Sequence, residues 1–367
     1  MTIKGIELFH ITIPVTHPFE TSFGVIDQRP ALIVQMTGTD GSVGYGESSL
    51  LATPMSEPET IASGITFLKA VLPSLIGTPI EPGFDITSLY SSALNPVAQL
   101  GIEGAYLDLV GKSHSISLAA LFGASKTEVQ IGESIGIKQS VEEVITEIQR
   151  HKEAGISRIK VKIAPDRDLD VIRSVREAFP DLELGADANA SYQKGDVEHL
   201  LQLKPYDLSF IEQPFAADEY AAHAALRKNG MIVCLDETVR DIPTCVRAFE
   251  EGACDIINIK PARIGSFKES KEIHDYCVDK EVRLFGGGRL ETGIGKTTNA
   301  AFYALPGFND SSDITPPADY LLEDIIHPAF TISNGAYQVT SLPGSGITVD
   351  LDALNRLSVE RVSFGNA

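Results

Sequence analysis

The run Arg158-Ile-Lys-Val-Lys-Ile163 is the most informative part of this chain for predicting its fold. Side chains of a β-strand alternate between its two faces, so Lys160 and Lys162 point one way and their apolar neighbours point the other. Two lysines on one face of an apolar strand indicate that this face lines a shared interior. A solvated edge strand is the competing interpretation of the same pattern.

Four more charged residues follow at a regular spacing, and each closes a short apolar run. The successive intervals from Lys162 to Asp187, Glu212, Asp236 and Lys260 are 25, 25, 24 and 24 residues. A repeated apolar run, polar junction and helix-length segment is typical of parallel βαβ units. Enough such units close into a barrel that carries its reactive groups at the carboxyl ends of the strands. Since an edge strand does not explain this period, we predict a barrel.

The limits of this α/β barrel follow from where the repeat begins and stops. We expect it to span residues 126–319, with a first strand over residues 128–137 and a weaker eighth strand near Ser312. The βα rhythm ends there. The β-rich tail, residues 320–367, is predicted to return to the N-terminal part of the chain.

Residues 1–125 are predicted to form a separate α+β unit. Residues 3–15 alternate as a strand does, and Asp40-Gly41 is typical of the turn of a hairpin. Ser56-Glu-Pro-Glu59 has the capping residue, early proline and later glutamate of a helix start, so we expect a helix to begin there.

Composition limits the partners and the compartment. The chain has 50 acidic and 30 basic residues, and its net charge of −20 repels nucleic acid and anionic membranes. At 43% hydrophobic it is predicted to be a soluble globular protein. Four cysteines without Cys-x-x-Cys spacing indicate reduced thiols, and residues 1–7 lack a signal-peptide pattern. We therefore expect a cytoplasmic protein with no nucleic-acid or membrane partner.

One early segment is a candidate lid. His17-Pro-Phe-Glu-Thr-Ser-Phe-Gly24 contains glycine, proline and small polar residues, and Phe19 and Phe23 are placed to close over a ligand. An ordinary strand connection with two core aromatics is the other interpretation.

The three acidic residues of the repeat predict a metal site. Carboxylates of Asp187, Glu212 and Asp236 within ~4 Å of one another would repel by roughly 4 kcal/mol per pair at an effective dielectric of 20. A cation is needed to neutralise them. An all-oxygen ligand set without His or Cys favours Mg²⁺ or Mn²⁺ over zinc, and leaves coordination positions for a substrate carboxylate.

The lysines indicate acid/base chemistry on that carboxylate. Lys162 and Lys260 end the second and sixth strands and are predicted to lie on opposite sides of the substrate α-carbon. A lysine must be neutral to accept a proton, and Lys160, burial and the metal would all lower the pKa of Lys162. We predict abstraction of a proton α to a carboxylate, giving an enediolate stabilised by the metal as a Lewis acid.

These motifs resemble the muconate-lactonizing subgroup of the enolase superfamily over nearly the whole chain. The stretches that carry the resemblance are Lys160-Val-Lys162, Asp187-Ala-Asn189, Ile211-Glu-Gln-Pro214, Leu235-Asp-Glu237, Ile259-Lys-Pro261 and Gly287-Gly-Arg-Leu-Glu-Thr-Gly-Ile-Gly295. The resemblance implies a (β/α)7β modified TIM barrel with an α+β capping domain, and a homo-oligomer. It also implies the same metal ligands and lysines, and a loop that closes on substrate.

Within the subgroup, Ser134-Ile-Gly-Ile and the glycine-rich run are most similar to o-succinylbenzoate synthases and N-succinylamino acid racemases. The resemblance implies substrate contacts from Ser134, Asn189 and Leu290. In the synthase, Lys162 would serve the elimination while Lys260 stabilises the enediolate as a cation. In the racemase, both would exchange protons from opposite faces.

One residue departs from the subgroup pattern. Arg289 stands where an apolar residue usually follows the glycines. Its guanidinium could bind a second substrate carboxylate or simply pair with Glu291.

Two other enzymes and one non-enzymatic function remain as alternatives. A muconate-type cycloisomerase shares the same lysines. Dipeptide epimerases carry Asp-x-Asp at the eighth strand, whereas Asp310-Ser-Ser-Asp313 has a different spacing. A barrel that only binds a ligand is the third alternative, although lysines on both faces favour an enzyme.

Overall fold

The computed structural model describes residues 1–21, 24–54, 57–90 and 95–365 of the chain. The side chains of residues 19–21 and 24 also lie outside the description. The predicted lid contacts of Phe19 and Phe23 therefore fall outside the described part of the protein. Within it, Thr21 pairs with Gly24, so the described backbone on either side of residues 22–23 belongs to two paired antiparallel strands.

An antiparallel sheet forms the N-terminal unit, with the strand order β15-β1-β2-β3. Its strands are β1 (Ile3–Thr21), β2 (Gly24–Gly38), β3 (Val43–Ser48) and β15 (Ser358–Gly365). The predicted turn at Asp40-Gly41 joins β2 and β3, and Gly41 has a φ of 86°. The last strand of the chain pairs with the first, as the prediction for the tail required.

Three helices belong to this unit; two of them pack against the sheet and the third packs against a neighbouring helix. They are α1 (Ile61–Val71), α2 (Pro96–His114) and α3 (Leu118–Phe122), with short 3₁₀ helices at Leu72–Leu75 and Ile86–Leu89. Helix α2 packs directly on β3, because a Cβ atom on Gly46 would lie 2.2 Å from the carbonyl oxygen of Gly101.

The predicted start of the first helix is wrong. Helix α1 begins at Ile61, where Thr60 accepts a hydrogen bond from the Ser63 amide. Glu59, predicted to belong to that helix start, instead accepts hydrogen bonds from Val97 and Ala98 and so caps α2. Glu59 therefore fits the sequence pattern of a helix start at this point of the chain, although its carboxylate caps a different helix.

Seven parallel strands in sequential order form the barrel sheet. They are β5 (Gly132–Ile135), β6 (Arg158–Lys162), β7 (Glu183–Asp187), β8 (Phe210–Glu212), β9 (Val233–Leu235), β10 (Ile256–Ile259) and β11 (Arg283–Gly286). The helices that follow them are α4 (Val141–Glu153), α5 (Asp168–Ala178), α6 (Val197–Leu200), α7 (Tyr220–Lys228), α8 (Ile242–Glu250), α9 (Pro261–Ile264), α10 (Phe267–Asp279) and α11 (Gly293–Tyr303).

A short segment at Ser312 closes the barrel in the eighth position. Its amide donates to Gln130, its carbonyl accepts from Gly132, and the amide of Asp313 donates to Gly286. The segment therefore bridges the first and last strands of the sheet. This confirms the weaker eighth strand and, with the capping sheet, the (β/α)7β architecture.

The segment predicted as one first barrel strand is divided in two. Residues 128–130 form β4 (Glu128–Gln130), which pairs with β13 (Ala336–Gln338) of the tail, and only β5 enters the barrel sheet. The rest of the tail contains β12 (Ile326–His327), β14 (Thr348–Val349) and α12 (Leu351–Leu357). The tail thus contacts both units, and the domain limits at residues 125 and 319 stay predictions.

Two buried glutamates join the capping unit to barrel helices. Glu47 of β3 accepts hydrogen bonds from the Thr292 and Gly295 amides at the start of α11. Glu103 of α2 accepts hydrogen bonds from Phe267 and Lys268 at the start of α10, the shorter at 2.7 Å. No helix in the described ranges is long and apolar enough to cross a membrane.

Candidate active site

Strand β6 sends three cationic side chains into the barrel at three depths. Arg158 lies deepest, where its guanidinium is 5.1 Å from the ring centroid of Phe285 and 2.7 Å from Asp313. Lys160 occupies the next level, and its side chain is 4% exposed. Lys162 lies at the open end with a side chain 12% exposed. The alternation of the strand therefore places one lysine below the other; both line the cavity, and Lys162 is the more exposed of the two.

The three predicted ligands form a row across the carboxyl ends of adjacent strands. Asp187 ends β7, Glu212 ends β8 and Asp236 follows β9. Each of the three residues is at most 1% exposed. Their register is fixed, because Asp187 pairs with Glu212 across β7 and β8.

The lysines are paired with the ends and the centre of this row. Lys162 Nζ lies 2.7 Å from Asp187 Oδ2, and Lys260 Nζ lies 2.8 Å from Asp236 Oδ2. Lys160 Nζ lies 2.7 Å from Glu212 Oε2. The structure thus brings Lys162 and Lys260 to opposite ends of one carboxylate row, as the strand spacing predicted.

The crowding of these carboxylates changes their titration. Burial, assisted by Asp187 and Asp236, raises the pKa of Glu212 to about 7 against the opposing effect of Lys160. Burial would also raise the pKa of Asp236, but the charges of Arg263 and Lys260 outweigh it and lower that pKa. The middle carboxylate is therefore the one whose charge is least well compensated by the protein.

Lys160 is a fixed cation in this structure. Burial lowers its pKa, but Asp313, Glu212 and Asp187 raise the pKa of Lys160 well above its ordinary value. Its amine lies 2.7 Å from Asp313 Oδ2 as well as from Glu212. Lys160 therefore compensates the charge beneath the carboxylate row, and its predicted catalytic part stays a prediction.

The donor set fits a hard divalent cation. Besides the row, Glu237 is buried, and its Oε2 atom has no hydrogen-bond partner among the described residues. Burial, followed by the charge of Asp236, raises the pKa of Glu237. Crowded carboxylate oxygens with an unpartnered oxygen beside them are the environment that Mg²⁺ relieves.

Neighbouring amides hold the row in place. Asn258 Nδ2 donates to Glu212 Oε1 at 2.9 Å. Gln213 Oε1 accepts from the backbone amides of Asp236 and Thr238 at 3.0 and 3.1 Å, which fixes the end of β9. Such contacts orient ligating side chains before a metal binds.

Four of the six predicted substrate contacts line one cavity with the lysines, and its volume is about 230 Å³. They are Ser134, Asn189, Arg289 and Leu290. Asn189 accepts a hydrogen bond from Lys162 and donates to Glu237 Oε1 at 3.2 Å, so it links a lysine to the acidic cluster. The remaining two, Phe19 and Phe23, lie outside the described side chains.

Several residues of the site were not identified from sequence. Arg263 contacts both Asp236 and Glu57, and Arg29 contacts the carbonyl of Leu290. Asp313 neutralises Lys160 from a segment 153 residues away. Three further residues of the site could have been found from sequence, because they lie inside or directly beside the recognised motifs and so close to the predicted ligands. They are Gln213, Glu237 and Asn258.

The group of possible metal ligands whose atoms meet most closely among the described residues is not the predicted row but lies at the rim of the cavity. Asp187, Glu212 and Asp236 do not bring three ligand atoms within 4.8 Å of one another in the described part of the chain. One ligand atom each from Glu133, His151 and Asp319 falls within 4.8 Å of the others. Glu133 already accepts hydrogen bonds from Thr315 and the Ser134 amide. Sequence spacing did not indicate this group, because its members come from a strand, a helix and the segment after the barrel.

The fold and the site define a barrel enzyme of the enolase type. Residues 143–353 match the family described as enolase C-terminal domain-like. Residues 5–123 match the N-terminal domain of mandelate racemase and muconate lactonizing enzyme. The chain belongs to this family, as the sequence motifs implied.

Curated relatives narrow the class. The chain is 35% identical to an o-succinylbenzoate synthase of Bacillus subtilis (strain 168), with 96% of each chain covered. It is 34% identical to an N-succinylamino acid racemase of Thermus thermophilus, with 98% of each covered. The protein is thus an enzyme of the lyase and isomerase class that these relatives represent.

A solved structure shows the shared fold at lower identity. The dipeptide epimerase from Cytophaga hutchinsonii, complexed with Mg and the dipeptide D-Ala-L-Val, superposes with a TM-score of 0.91 at 23% identity. It covers 100% of both chains. At that identity the likeness establishes the architecture alone.

Proposed function

We propose that this enzyme abstracts the proton α to a carboxylate and acts as an N-succinylamino acid racemase, an o-succinylbenzoate synthase, or both. The observation that carries the proposal is the placement of Lys162 and Lys260 at opposite ends of one buried carboxylate row. The two full-length relatives of these activities support it.

Each of the lysines and the residues around them has a defined role in the proposed reaction. Lys162 and Lys260 face the substrate α-carbon from two sides, so one removes the proton and the other delivers it in racemisation. Asn189 orients Lys162 through its side-chain oxygen. Arg263 contacts Asp236, the partner of Lys260, and so compensates charge beside that lysine.

We propose Mg²⁺ as the cofactor, with Mn²⁺ as a substitute, held by Asp187, Glu212 and Asp236. When bound, the cation supplies Lewis-acid stabilisation of negative charge on the substrate carboxylate. Three protein oxygens leave octahedral positions for that carboxylate. The all-oxygen donor set and the unpartnered oxygen of Glu237 support this proposal.

The eighth strand disfavours a dipeptide substrate. A dipeptide carries an ammonium group, which requires a carboxylate that the protein has not already neutralised. Asp313 is paired with Arg158 and Lys160, and Asp310 is paired with Arg283 at 2.9 Å. Neither aspartate is therefore available to a cation, and an N-acylated substrate fits this side of the site better.

Proton NMR in D₂O tests the proposal. Purified enzyme with Mg²⁺ and either enantiomer of an N-succinylamino acid should lose the α-proton signal as deuterium enters. A parallel assay follows o-succinylbenzoate formation by mass spectrometry. Persistence of the α-proton across a broad panel of N-succinylamino acids, together with no o-succinylbenzoate, would favour the ligand-binding barrel instead.

A further inference from the structure

We propose that the guanidinium of Arg289 binds a second carboxylate of the substrate, one distinct from the carboxylate next to the reacting carbon. The inference rests on the proposed function and deepens it, because it assigns the substrates to the dicarboxylates. It concerns a residue at which this chain departs from the pattern of its subgroup.

The structure decides between the two partners that sequence left open for Arg289. Glu291 accepts hydrogen bonds from the backbone amide of Arg289 at 2.9 and 3.0 Å, and not from its guanidinium. The charge of Glu291 is met by Lys296 at 3.1 Å and by the amide of Asn299. Glu291 is thus satisfied without the Arg289 side chain.

The Arg289 side chain is anchored at one nitrogen only. Its Nε donates to the carbonyl of Ser49 at 3.1 Å, which fixes the direction of the side chain. Its two terminal nitrogens donate to none of the residues that the structure describes, and no carboxylate there lies within ion-pair distance. Glu57 is the acidic group that raises the pKa of Arg289 most, but both of its carboxylate oxygens are already hydrogen-bonded by Arg240 and Arg263.

The charges around Arg289 are close to balanced, and burial is the main cause of its altered pKa. Burial lowers the pKa of Arg289, and the neighbouring cations Arg29 and Arg263 lower it further against the attraction of Glu57 and Glu291. The cavity as a whole is lined by eight cationic and eight acidic side chains, although the chain carries −20. Arg289 is one of these cationic side chains, and a substrate carboxylate would supply the direct partner that its terminal nitrogens lack among the described residues.

The position of Arg289 relates it to the reacting carbon. It follows Gly287 and Gly288 at the end of β11, one strand beyond Lys260. A Cβ atom on Gly287 would lie 2.7 Å from Lys260 Cε, so the backbone leading to Arg289 borders that lysine. A substrate group held by Arg289 would thus extend from the α-carbon along the Lys260 side of the cavity.

Arginine suits this ligand because its planar fork binds both oxygens of a carboxylate. Two substrate parts could present that carboxylate, the N-acyl group or an acidic amino-acid side chain. The pair N-succinylphenylalanine and N-acetylphenylalanine differs in the acyl carboxylate. The pair N-acetylglutamate and N-acetylglutamine differs in the side-chain carboxylate.

The test measures α-proton exchange on all four compounds, as kcat/KM ratios within each pair. Wild-type enzyme should prefer the dicarboxylate in one pair, and Arg289→Met should reduce that ratio by about 10- to 100-fold, the value of a charged hydrogen bond. Arg289→Lys should give an intermediate ratio. The control is Arg247→Met, which removes an exposed guanidinium of α8 that pairs with Glu251, and it should leave the ratios unchanged.

Calorimetric affinities for the same compounds separate the two proposals. Exchange with ratios that do not respond to Arg289→Met would overturn the assignment of Arg289 and leave the proposed function standing. An affinity preference that depends on Arg289, in an enzyme that exchanges none of the compounds, would retain the assignment and refute the function. Equal affinities in wild-type and variant for both pairs would refute the second carboxylate.

Discussion

The mouth of the barrel and the interface between its helices and the capping unit both bury carboxylates, with different partners. At the mouth, Asp187, Glu212 and Asp236 face the side-chain amines of lysines. At the interface, Glu47 and Glu103 face backbone amides of helix N-termini. Side-chain partners can be exchanged for a metal ion or substrate, whereas backbone amides stay where the helix holds them. The same acidic group therefore serves chemistry in one region and assembly in the other.

The largest effect that would sharpen this contrast is loss of a lysine at the mouth. Lys162→Ala should abolish exchange from one enantiomer and Lys260→Ala from the other, each by about 10²- to 10⁴-fold, because a general base has been removed. Enantiomer-resolved NMR in D₂O measures this. Lys271→Ala, on the exposed surface of α10, is the control. Unchanged exchange in either single variant would exclude that lysine from the mechanism.

The second effect concerns metal affinity. Glu212→Gln keeps the shape of the side chain but removes the charge from the middle of the row, so Mg²⁺ affinity measured by calorimetry should fall by about 100-fold or more. Glu133→Gln is the matched control, since Glu133 belongs to the group of possible ligands at the rim. Loss of affinity in the Glu133 variant alone would place the metal at the rim instead.

Sequence predicted the mouth far better than the interface, for a physical reason. Each residue of the row closes its own strand, so a period of 24 or 25 residues along the chain was enough to identify Lys162, Asp187, Glu212, Asp236 and Lys260. A repeated unit converts spacing in sequence into proximity in space.

Contacts between distant segments carry no such period. Glu59 matched the pattern of a helix start, yet it caps a helix 37 residues further along. Asp313 could not be assigned to Lys160 because the two meet only when the barrel closes. Sequence could not tell whether Arg289 pairs with Glu291 or faces the cavity. The answer depends on Lys296, in the first turn of α11, which packs against Glu291 and takes the place of Arg289 as its partner.

The third effect breaks the interface rather than the site. Glu47→Ala removes the acceptor for the Thr292 hydroxyl and for the Thr292 and Gly295 amides at the start of α11. Loss of a helix cap, together with buried donors left unpaired, should lower the free energy of unfolding by about 2 kcal/mol. Urea unfolding measures this, with the exposed Glu272→Ala as control. Equal stability of the two variants would show that the Glu47 contacts are dispensable.

The fourth effect is a pH dependence carried by Glu103. Burial raises the pKa of Glu103 from 4.5 to about 7, although the Phe267 and Lys268 amides favour its charged form. The folded state then binds the proton more tightly than the unfolded state. The stability that this group contributes is full below about pH 4.5 and is lost as the pH rises through about 7.

Glu103→Gln cannot titrate, so it should flatten the decline of unfolding free energy between pH 5 and 7 by up to about 1.4 kcal/mol per pH unit. Urea unfolding across that range compares wild-type, Glu103→Gln and the exposed control Glu272→Gln on α10. Burial also raises the pKa of Glu212 at the mouth and of Glu47 at the interface to about 7, but these groups are unchanged in all three proteins, so the difference between wild-type and Glu103→Gln isolates Glu103. Parallel curves for all three proteins would mean that the helix amides, and not burial, set the charge of Glu103.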